Sequence, residues 1–170
     1  MPLNLLKKYN DLLDISAMND FQRKKSLHAI FERDIMLNPN FSFRKKQIKP
    51  TPAEGQDAMD RLFTHLTTVI TDKNTNKREF DMKRAVRLHW IRFHIEERKT
   101  DNMYIFSVEE PYGIRTYIYD TDERYVIVLE PMRDLKKNEY ALLTAYYEDG
   151  KDKERSKIMK KYKRRLSDVL

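Results

Sequence analysis

The sequence predicts an α+β fold, in which N-terminal helices pack on a four-stranded antiparallel β-meander and a basic helix follows at the C-terminus. Apolar residues recur at helical spacing as far as about residue 98, and they alternate with polar residues after Thr100. The last apolar stripe lies within a lysine-rich stretch. A chain of 170 residues suits one main domain with a helical appendage. We therefore expect an N-terminal helical segment over residues 1–50 and an α+β domain over residues 51–170.

Four of the five predicted helices precede the strands. They cover residues 3–14, residues 19–37, a third stretch from a Thr51 cap to about Ile70, and a fourth from an Asp81 cap to about Arg98. The third has the strongest start signal, because Pro52 occupies the first helical position and Glu54 follows the cap by three residues. Residues 41–46 alternate like a short strand or an extended linker, and residues 72–77 read as a polar loop.

Four strands are predicted from the alternation after residue 100. They cover residues 103–109, 114–119, 124–130 and 140–147, and Pro131 is expected to end the third. Their connections are short, and short connections join antiparallel neighbours. The basic helix follows Gly150, and its stripe of Ile158, Tyr162 and Leu166 is expected to pack on the sheet and leave the lysines outward.

The net charge of +7 is concentrated in one element. Residues 151–165 contain nine Lys and Arg against two acidic residues, whereas the rest of the chain has 25 of each sign. A localised basic helix suits a polyanionic partner such as RNA. The alternative is an ordinary solvated helix face.

Several classes of site and location are excluded or disfavoured by composition. The chain has no cysteine, and its three glycines form no phosphate-binding loop, so we expect no cofactor. His89 and His94 are separated by about 140° on a helix, so they do not point together as metal ligands and we expect no metal site. No apolar stretch is long enough for a membrane span, and the N-terminus lacks the apolar core of a signal peptide. These features favour a cytoplasmic protein without a membrane partner.

Polar residues of the second and fourth predicted strands suggest a phosphate site. Arg115, Thr144 and Tyr146 are expected on the freer face of the sheet. An arginine fork, a hydroxyl and a phenol could together bind a phosphate. The alternative is simple β-propensity, since threonine and tyrosine favour strands.

Two histidines on the fourth predicted helix are candidates for proton transfer. His89 and His94 lie among several arginines, which would favour the neutral imidazole of a general base. Either could equally be a structural residue. His65, beside the apolar stripe of the third helix, could face a groove, although a packing histidine is more common there.

Segments of the C-terminal half resemble a known family. They are Arg115-Thr116-Tyr117-Ile118-Tyr119, Tyr125-Val126-Ile127-Val128-Leu129-Glu130, Tyr140-Ala141-Leu142-Leu143-Thr144-Ala145-Tyr146-Tyr147 and the lysine-rich helix ending at Lys160-Lys161-Tyr162. Together with Arg87-Leu88-His89-Trp90-Ile91, they resemble the phage- and mobile-element-associated branch of the barnase–EndoU–colicin D–RelE-like (BECR) ribonucleases. The resemblance covers roughly residues 78–165, and the first 50 residues lie outside it.

The resemblance implies a metal-independent endoribonuclease that cleaves RNA by attack of the substrate's own 2′-hydroxyl. Arg115 and Thr144 occupy the matching strand positions, with Tyr146 beside them. The chain departs from the better-defined nucleases in having no evident His pair or Glu–His pair. The resemblance therefore assigns neither the general base nor the general acid.

The residues expected to act fall into two groups. Arg115 would stabilise the phosphorane charge, and His89, His94 or Tyr146 would transfer protons. The residues expected to bind the nucleic-acid backbone are Arg87, Lys151, Lys153, Lys157, Lys160, Lys161 and Lys163. A toxin-like ribonuclease would also have an inhibitory protein partner. Two other hypotheses remain open: a non-catalytic nucleic-acid-binding module, and a protein-interaction domain whose basic helix docks an acidic protein.

Overall fold

The structure, a computed structural model, describes residues 2–52, 54–134, 137–150 and 152–170. The helices are α1 (Pro2–Leu5), α2 (Asp20–Phe31), α3 (Ala58–Thr67), α4 (Met82–Ala85), α5 (Trp90–Ile95) and α6 (Asp152–Lys163), and a π-helical segment (Glu32–Met36) continues α2. The strands are β1 (Ser42–Phe43), β2 (Lys46–Pro50), β3 (Thr68–Asp72), β4 (Lys77–Phe80), β5 (Met103–Glu110), β6 (Gly113–Asp120), β7 (Tyr125–Asp134) and β8 (Lys137–Tyr147). The mixed α+β fold predicted from the sequence is confirmed.

The main sheet has six strands, in the order β1-β2-β8-β7-β6-β5, and the predicted size of four strands is wrong. The additional strands come from the N-terminal third of the chain. Gln47 in β2 lies opposite Glu139 in β8, and this pairing is parallel. The other neighbouring strands of the sheet pair antiparallel. Pairing between strands that are so distant in the chain depends on the tertiary fold, so a local sequence pattern cannot predict this pairing.

Strand β7 continues through Pro131, which was expected to end it. The described pairing of β7 with β6 runs only as far as Leu129, and beyond that residue β7 pairs with β8. A strand at the edge of a sheet is hydrogen-bonded to a neighbour on one side only. Proline, which has no amide hydrogen, is tolerated there because the amide on the open side needs no partner. The prediction for Pro131 is therefore wrong because this part of β7 lies at an edge.

The third predicted helix begins later and ends earlier than its sequence pattern indicates. Its cap is Asp57, whose side chain accepts hydrogen bonds from the backbone amides of Met59 and Asp60 at 2.9 and 3.1 Å. After Thr67 the chain turns into a β3–β4 hairpin. The stretch up to Ile70 that was expected to be helical is therefore partly extended, because β-branched residues precede a polar turn there.

Of the other three predicted helices before the strands, the one over residues 19–37 is found as α2 and its π-helical continuation. The other two are shorter than expected, and one of them is divided. Helix α1 ends at Leu5, although helix was expected to residue 14. The fourth predicted helix does start at the Asp81 cap, which accepts from the amide of Lys83 at 3.0 Å. It is then divided into α4 and α5 by residues 86–89. At this break, the carbonyl of Val86 accepts a hydrogen bond from the amide of Leu13.

Apolar side chains form one cluster on each face of the main sheet. On the first face, Ile127 and Leu142 share a core with Leu27 and Phe31 of α2 and Trp90 of α5. The first 50 residues and the remainder therefore contribute to a common core. On the second face, side chains of α6 cover part of β5 and β6, since Ile158 and Tyr162 pack against Phe106. Within the described residues, no helix combines the length and apolar character that crossing a bilayer requires.

Candidate functional site

The three polar strand residues singled out from the sequence lie on the second face of the sheet. Arg115 is opposite Val108, Thr144 is opposite Val128, and Tyr146 is opposite Val126. Directly opposed residues point to the same side of a sheet, and these valines belong to the second-face cluster. All three polar side chains are partly exposed. The structure therefore places them on one accessible surface.

Arg115 and the pair of β8 residues make different contacts on this surface. The Nη1 atom of Arg115 lies 3.4 Å from a carboxylate oxygen of Glu130, and its guanidinium lies 4.7 Å above the Tyr112 ring. Thr144 accepts a hydrogen bond from Nη1 of Arg84 at 3.3 Å. The guanidinium of Arg84 also lies 5.8 Å from the centre of the Tyr146 ring. Arg84, at the end of α4, therefore links the β8 residues to the helices above them.

A cleft of about 340 Å³ opens between α3 and the sheet beside Arg115. The side chains that carry charge or hydrogen-bonding groups into its lining are Thr51, Arg61, His65, Arg115 and Glu130. Its apolar wall includes Leu62, Leu142 and Leu143. We call this the α3 cleft. It brings two arginines, an imidazole and a carboxylate together from α3, β6 and β7.

His65 is surrounded by three arginines, from α3, β4 and α4. Burial lowers the pKa of His65 below its usual value of 6.5, and the positive charges of Arg78, Arg61 and Arg84 lower it further. The imidazole is therefore neutral at pH 7. A neutral imidazole at the wall of a cleft can accept a proton, which is the requirement for a general base.

The arginines are held in place by carbonyl groups at the end of α3. Arg84 donates from Nη1 to the His65 carbonyl at 3.0 Å and to the Thr68 carbonyl at 3.2 Å. Arg78 donates to the Thr68 hydroxyl at 2.8 Å and to the Thr68 carbonyl at 3.0 Å. The last carbonyls of a helix lack intrahelical donors, so the guanidinium groups satisfy them. These contacts position the β3–β4 hairpin and α4 around His65.

Positive charge exceeds negative charge around the α3 cleft. Arg84 lies 3.7 Å from Asp81, and Arg115 pairs with Glu130. Among the described residues, no carboxylate lies within ion-pair distance of Arg61 or Arg78. Burial and the nearby Arg61 lower the pKa of Arg78, as expected where cations crowd together. The site is suited to an anion.

The two histidines that were predicted to act, His89 and His94, are buried in separate places. The His94 side chain is fully buried, and its Nε2 atom lies 2.9 Å from a carboxylate oxygen of Asp120. The His89 Nε2 atom lies 3.1 Å from the Lys8 carbonyl, and His89 lines a different cleft. The structure therefore does not bring His89 or His94 to Arg115. Because both side chains are buried, His89 and His94 contribute to packing. The spacing of the two residues on a helix could not predict this burial.

The basic residues predicted to bind nucleic acid have different surroundings. Lys157, Lys160 and Lys163 are exposed on α6, while Lys161 forms an ion pair with the buried carboxylate of Glu110. Lys151 lies outside the described residues, and so does the side chain of Lys153. Arg87 is half-buried, with its guanidinium 3.9 Å from the centre of the Tyr147 ring. Of the residues predicted to bind nucleic acid, three are therefore exposed on α6 among those whose side chains the structure describes: Lys157, Lys160 and Lys163.

The sequence pattern led to Arg115 but not to the arginines around His65. Arg61, Arg78 and Arg84 come from three elements, one of which is the unpredicted hairpin. A usable signal was present, because His65 follows Arg61 by four residues and both therefore lie on one face of α3.

The described residues include no group of three or more acidic or histidine side chains arranged to hold a metal ion. No protein-family model, curated protein or solved structure matches this chain.

Proposed function

We propose that the protein is a metal-independent endoribonuclease and that the α3 cleft binds the phosphate at the cleaved bond. The supporting observation is that the imidazole of His65 shares one cleft with Arg61 and Arg115. Burial and nearby arginines lower the pKa of this imidazole, which favours its neutral form. A proton acceptor beside cations is the combination that attack by a 2′-hydroxyl requires. The resemblance of the C-terminal strands to BECR ribonucleases points to the same reaction.

The reaction assigns one role to each group. His65 takes the proton of the 2′-hydroxyl as its oxygen bonds to the adjacent phosphorus. Arg61 and Arg115 stabilise the negative charge that develops on the phosphorane oxygens. The bond from phosphorus to the 5′-oxygen then breaks, and the departing oxygen takes a proton from water at the mouth of the cleft. The products are a 2′,3′-cyclic phosphate and a 5′-hydroxyl.

The donor set of the cleft favours this route over a magnesium-dependent one. Mg²⁺ prefers carboxylate and other oxygen ligands. Glu130 is the carboxylate among the lining residues, and it already lies within ion-pair distance of Arg115. The guanidinium groups supply the positive charge that a metal ion would otherwise contribute.

The exposed lysines of α6 are the second set of cations that we expect to bind the RNA backbone. Lys160 and Lys163 would contact phosphates outside the α3 cleft. Each phosphate contact releases bound counterions, so affinity should fall as salt increases. Replacing both lysines by glutamine should flatten the plot of log affinity against log salt.

The test is cleavage of single-stranded RNA and of transfer RNA by the purified protein in EDTA at low salt. We expect cleavage by the wild type and a loss of at least about 100-fold in His65→Gln, the lower range for general base catalysis. Arg115→Ala should lose activity while keeping its circular dichroism spectrum. Lys25→Gln, an exposed charge change on α2, is the matched control and should cleave normally. Intact RNA with correctly folded wild type would refute the proposal.

Non-catalytic RNA binding is the second candidate function. It is favoured by one observation: the lining of the α3 cleft contains a single imidazole, and its carboxylate is paired with an arginine. Salt-sensitive RNA binding without any cleavage would support this candidate. Co-purification with an acidic protein and no affinity for RNA would instead favour a protein-interaction domain.

A further inference from the structure

A second cleft, of about 550 Å³, lies between the N-terminal segment, the π-helical segment after α2, and α5. Its lining has five cationic side chains, which are Lys7, Lys8, Arg33, Arg92 and Arg98. The lining also contains two carboxylates, those of Asp34 and Glu96. It shares no residue with the α3 cleft. We call it the N-terminal cleft.

Both carboxylates of the N-terminal cleft are already engaged by arginines. The buried Asp34 carboxylate accepts from Arg33 at 2.7 and 3.2 Å. Glu96 accepts from Nε of Arg92 at 2.8 Å and from Nε of Arg98 at 2.7 Å. These contacts fix the orientation of the guanidinium groups.

The cleft retains cationic donors that these carboxylates do not occupy. Among the described residues, neither Lys7 nor Lys8 has a carboxylate within ion-pair distance. The Nε atom of Arg92 donates to Glu96, and its Nη1 atom lies 3.6 Å from Asp34, which is within ion-pair distance but long for a hydrogen bond. A guanidinium has five N–H donors, so these two contacts do not use all the donors of Arg92. With five cationic side chains against two carboxylates, the net charge of the lining is positive.

The floor of the cleft contains a buried polar atom. The Nε2 atom of His89 faces the Lys8 carbonyl at 3.1 Å, and a carbonyl can only accept, so Nε2 carries the hydrogen. Burial lowers the pKa of His89, which favours the neutral ring. Its Nδ1 atom is buried, and no partner among the described residues meets the geometric criteria for a hydrogen bond to it. The floor is thus polar rather than apolar.

We propose that the N-terminal cleft binds a phosphomonoester, such as the 5′-phosphate of a nucleotide or of a nucleic-acid end. A phosphomonoester carries nearly two negative charges at pH 7 and three acceptor oxygens. Two lysines and an arginine therefore suit a phosphomonoester better than they suit a ligand with a single carboxylate, which carries one negative charge and two oxygens. The proposal does not depend on the α3 cleft or on RNA cleavage.

The experiment is isothermal titration calorimetry at pH 7.5 with inorganic phosphate, adenosine 5′-monophosphate and adenosine. We expect the first two to bind and adenosine not to bind. A short DNA with a 5′-phosphate, compared with the same DNA with a 5′-hydroxyl, separates a chain end from a free nucleotide as the source. Trp90, the single tryptophan, has its ring centre 5.3 Å from that of the cleft residue Tyr9. Its fluorescence should therefore change with the same dissociation constant.

Two variants locate the bound phosphate. Exchange of both Lys7 and Lys8 for glutamine should weaken binding about tenfold or more, the effect of losing one charge-assisted hydrogen bond. Arg92→Gln should have a similar effect, and Lys25→Gln should bind like the wild type. Unchanged affinity in the double lysine variant, or no binding of phosphate by the wild type, would overturn the proposal. The double variant replaces partly and fully exposed side chains, so its fold is expected to be retained.

Discussion

Arg84 donates a hydrogen bond from Nη1 to the backbone carbonyl of His65 at 3.0 Å. The same nitrogen lies 3.3 Å from the hydroxyl of Thr144. One guanidinium therefore joins α3, which carries the imidazole, to β8, which forms part of the sheet face. This contact holds the two walls of the candidate site together.

Arg84→Met should destabilise the protein and weaken RNA cleavage through the position of His65. The variant leaves the His65 carbonyl and the Thr144 hydroxyl without this donor, so we expect a loss of about 1–3 kcal/mol in the free energy of unfolding. Urea denaturation measures this loss. The variant also removes a positive charge that lowers the pKa of His65, so the acidic limb of the pH profile of cleavage should move to higher pH. An unchanged pH profile would mean that Arg84 has only a structural role.

The histidine in the α3 cleft should titrate below pH 6.5 in the folded protein. Burial and three arginines disfavour its charged form. Arg78→Ala removes one positive neighbour and should therefore raise the pKa of His65 toward 6.5. Nuclear magnetic resonance of the histidine ring protons across pH 4–8 measures both values, with Lys25→Ala as the control. A wild-type value at or above 6.5 would contradict the described surroundings.

The buried Asp120 should make stability depend on pH in the acidic range. Burial by itself would raise the pKa of Asp120, but hydrogen bonds from His94, Lys99 and Tyr9 outweigh it and lower the pKa well below 3.8. Such a carboxylate contributes its full stabilisation above pH 3.8, and the contribution is lost as the pH falls below that value.

Asp120→Ala should therefore cost about 3–5 kcal/mol at pH 7, because it leaves buried partners of the carboxylate uncompensated. The difference in stability between wild type and variant should shrink as the pH is lowered below 3.8. Thermal unfolding at several pH values checks this. A pH-independent difference would show that the charge of Asp120 contributes nothing.

Ile158→Ala should weaken the attachment of α6 to the sheet. Ile158 is 3% exposed and packs in the second-face cluster. Its truncation should cost about 2–5 kcal/mol. Lys160→Ala, two residues further on the exposed side, should change stability by less than about 0.5 kcal/mol. Equal effects of the two changes in urea denaturation would mean that α6 does not pack as described.

The sequence predicts the α+β class and the four C-terminal strands, because alternation there is uninterrupted and the turns are short. It fails for β3, where Val69 and Ile70 continue a helical pattern that the tertiary structure overrides. It also fails for β2, whose parallel partner is distant in the chain. Arg115 could be found from strand alternation alone. The arginines around His65 could not, since their convergence requires the hairpin.

Comparison of an RNA oligonucleotide with the same sequence in DNA is the decisive test of attack by the 2′-hydroxyl. In EDTA, we expect the RNA to be cut to products with 2′,3′-cyclic phosphate ends. The DNA, which lacks the attacking hydroxyl, should bind but stay intact. His65→Gln should slow cleavage of the RNA at least about 100-fold while binding of the DNA is retained. Cleavage of the DNA at a rate similar to that of the RNA, or RNA cleavage by His65→Gln at close to the wild-type rate, would contradict this mechanism.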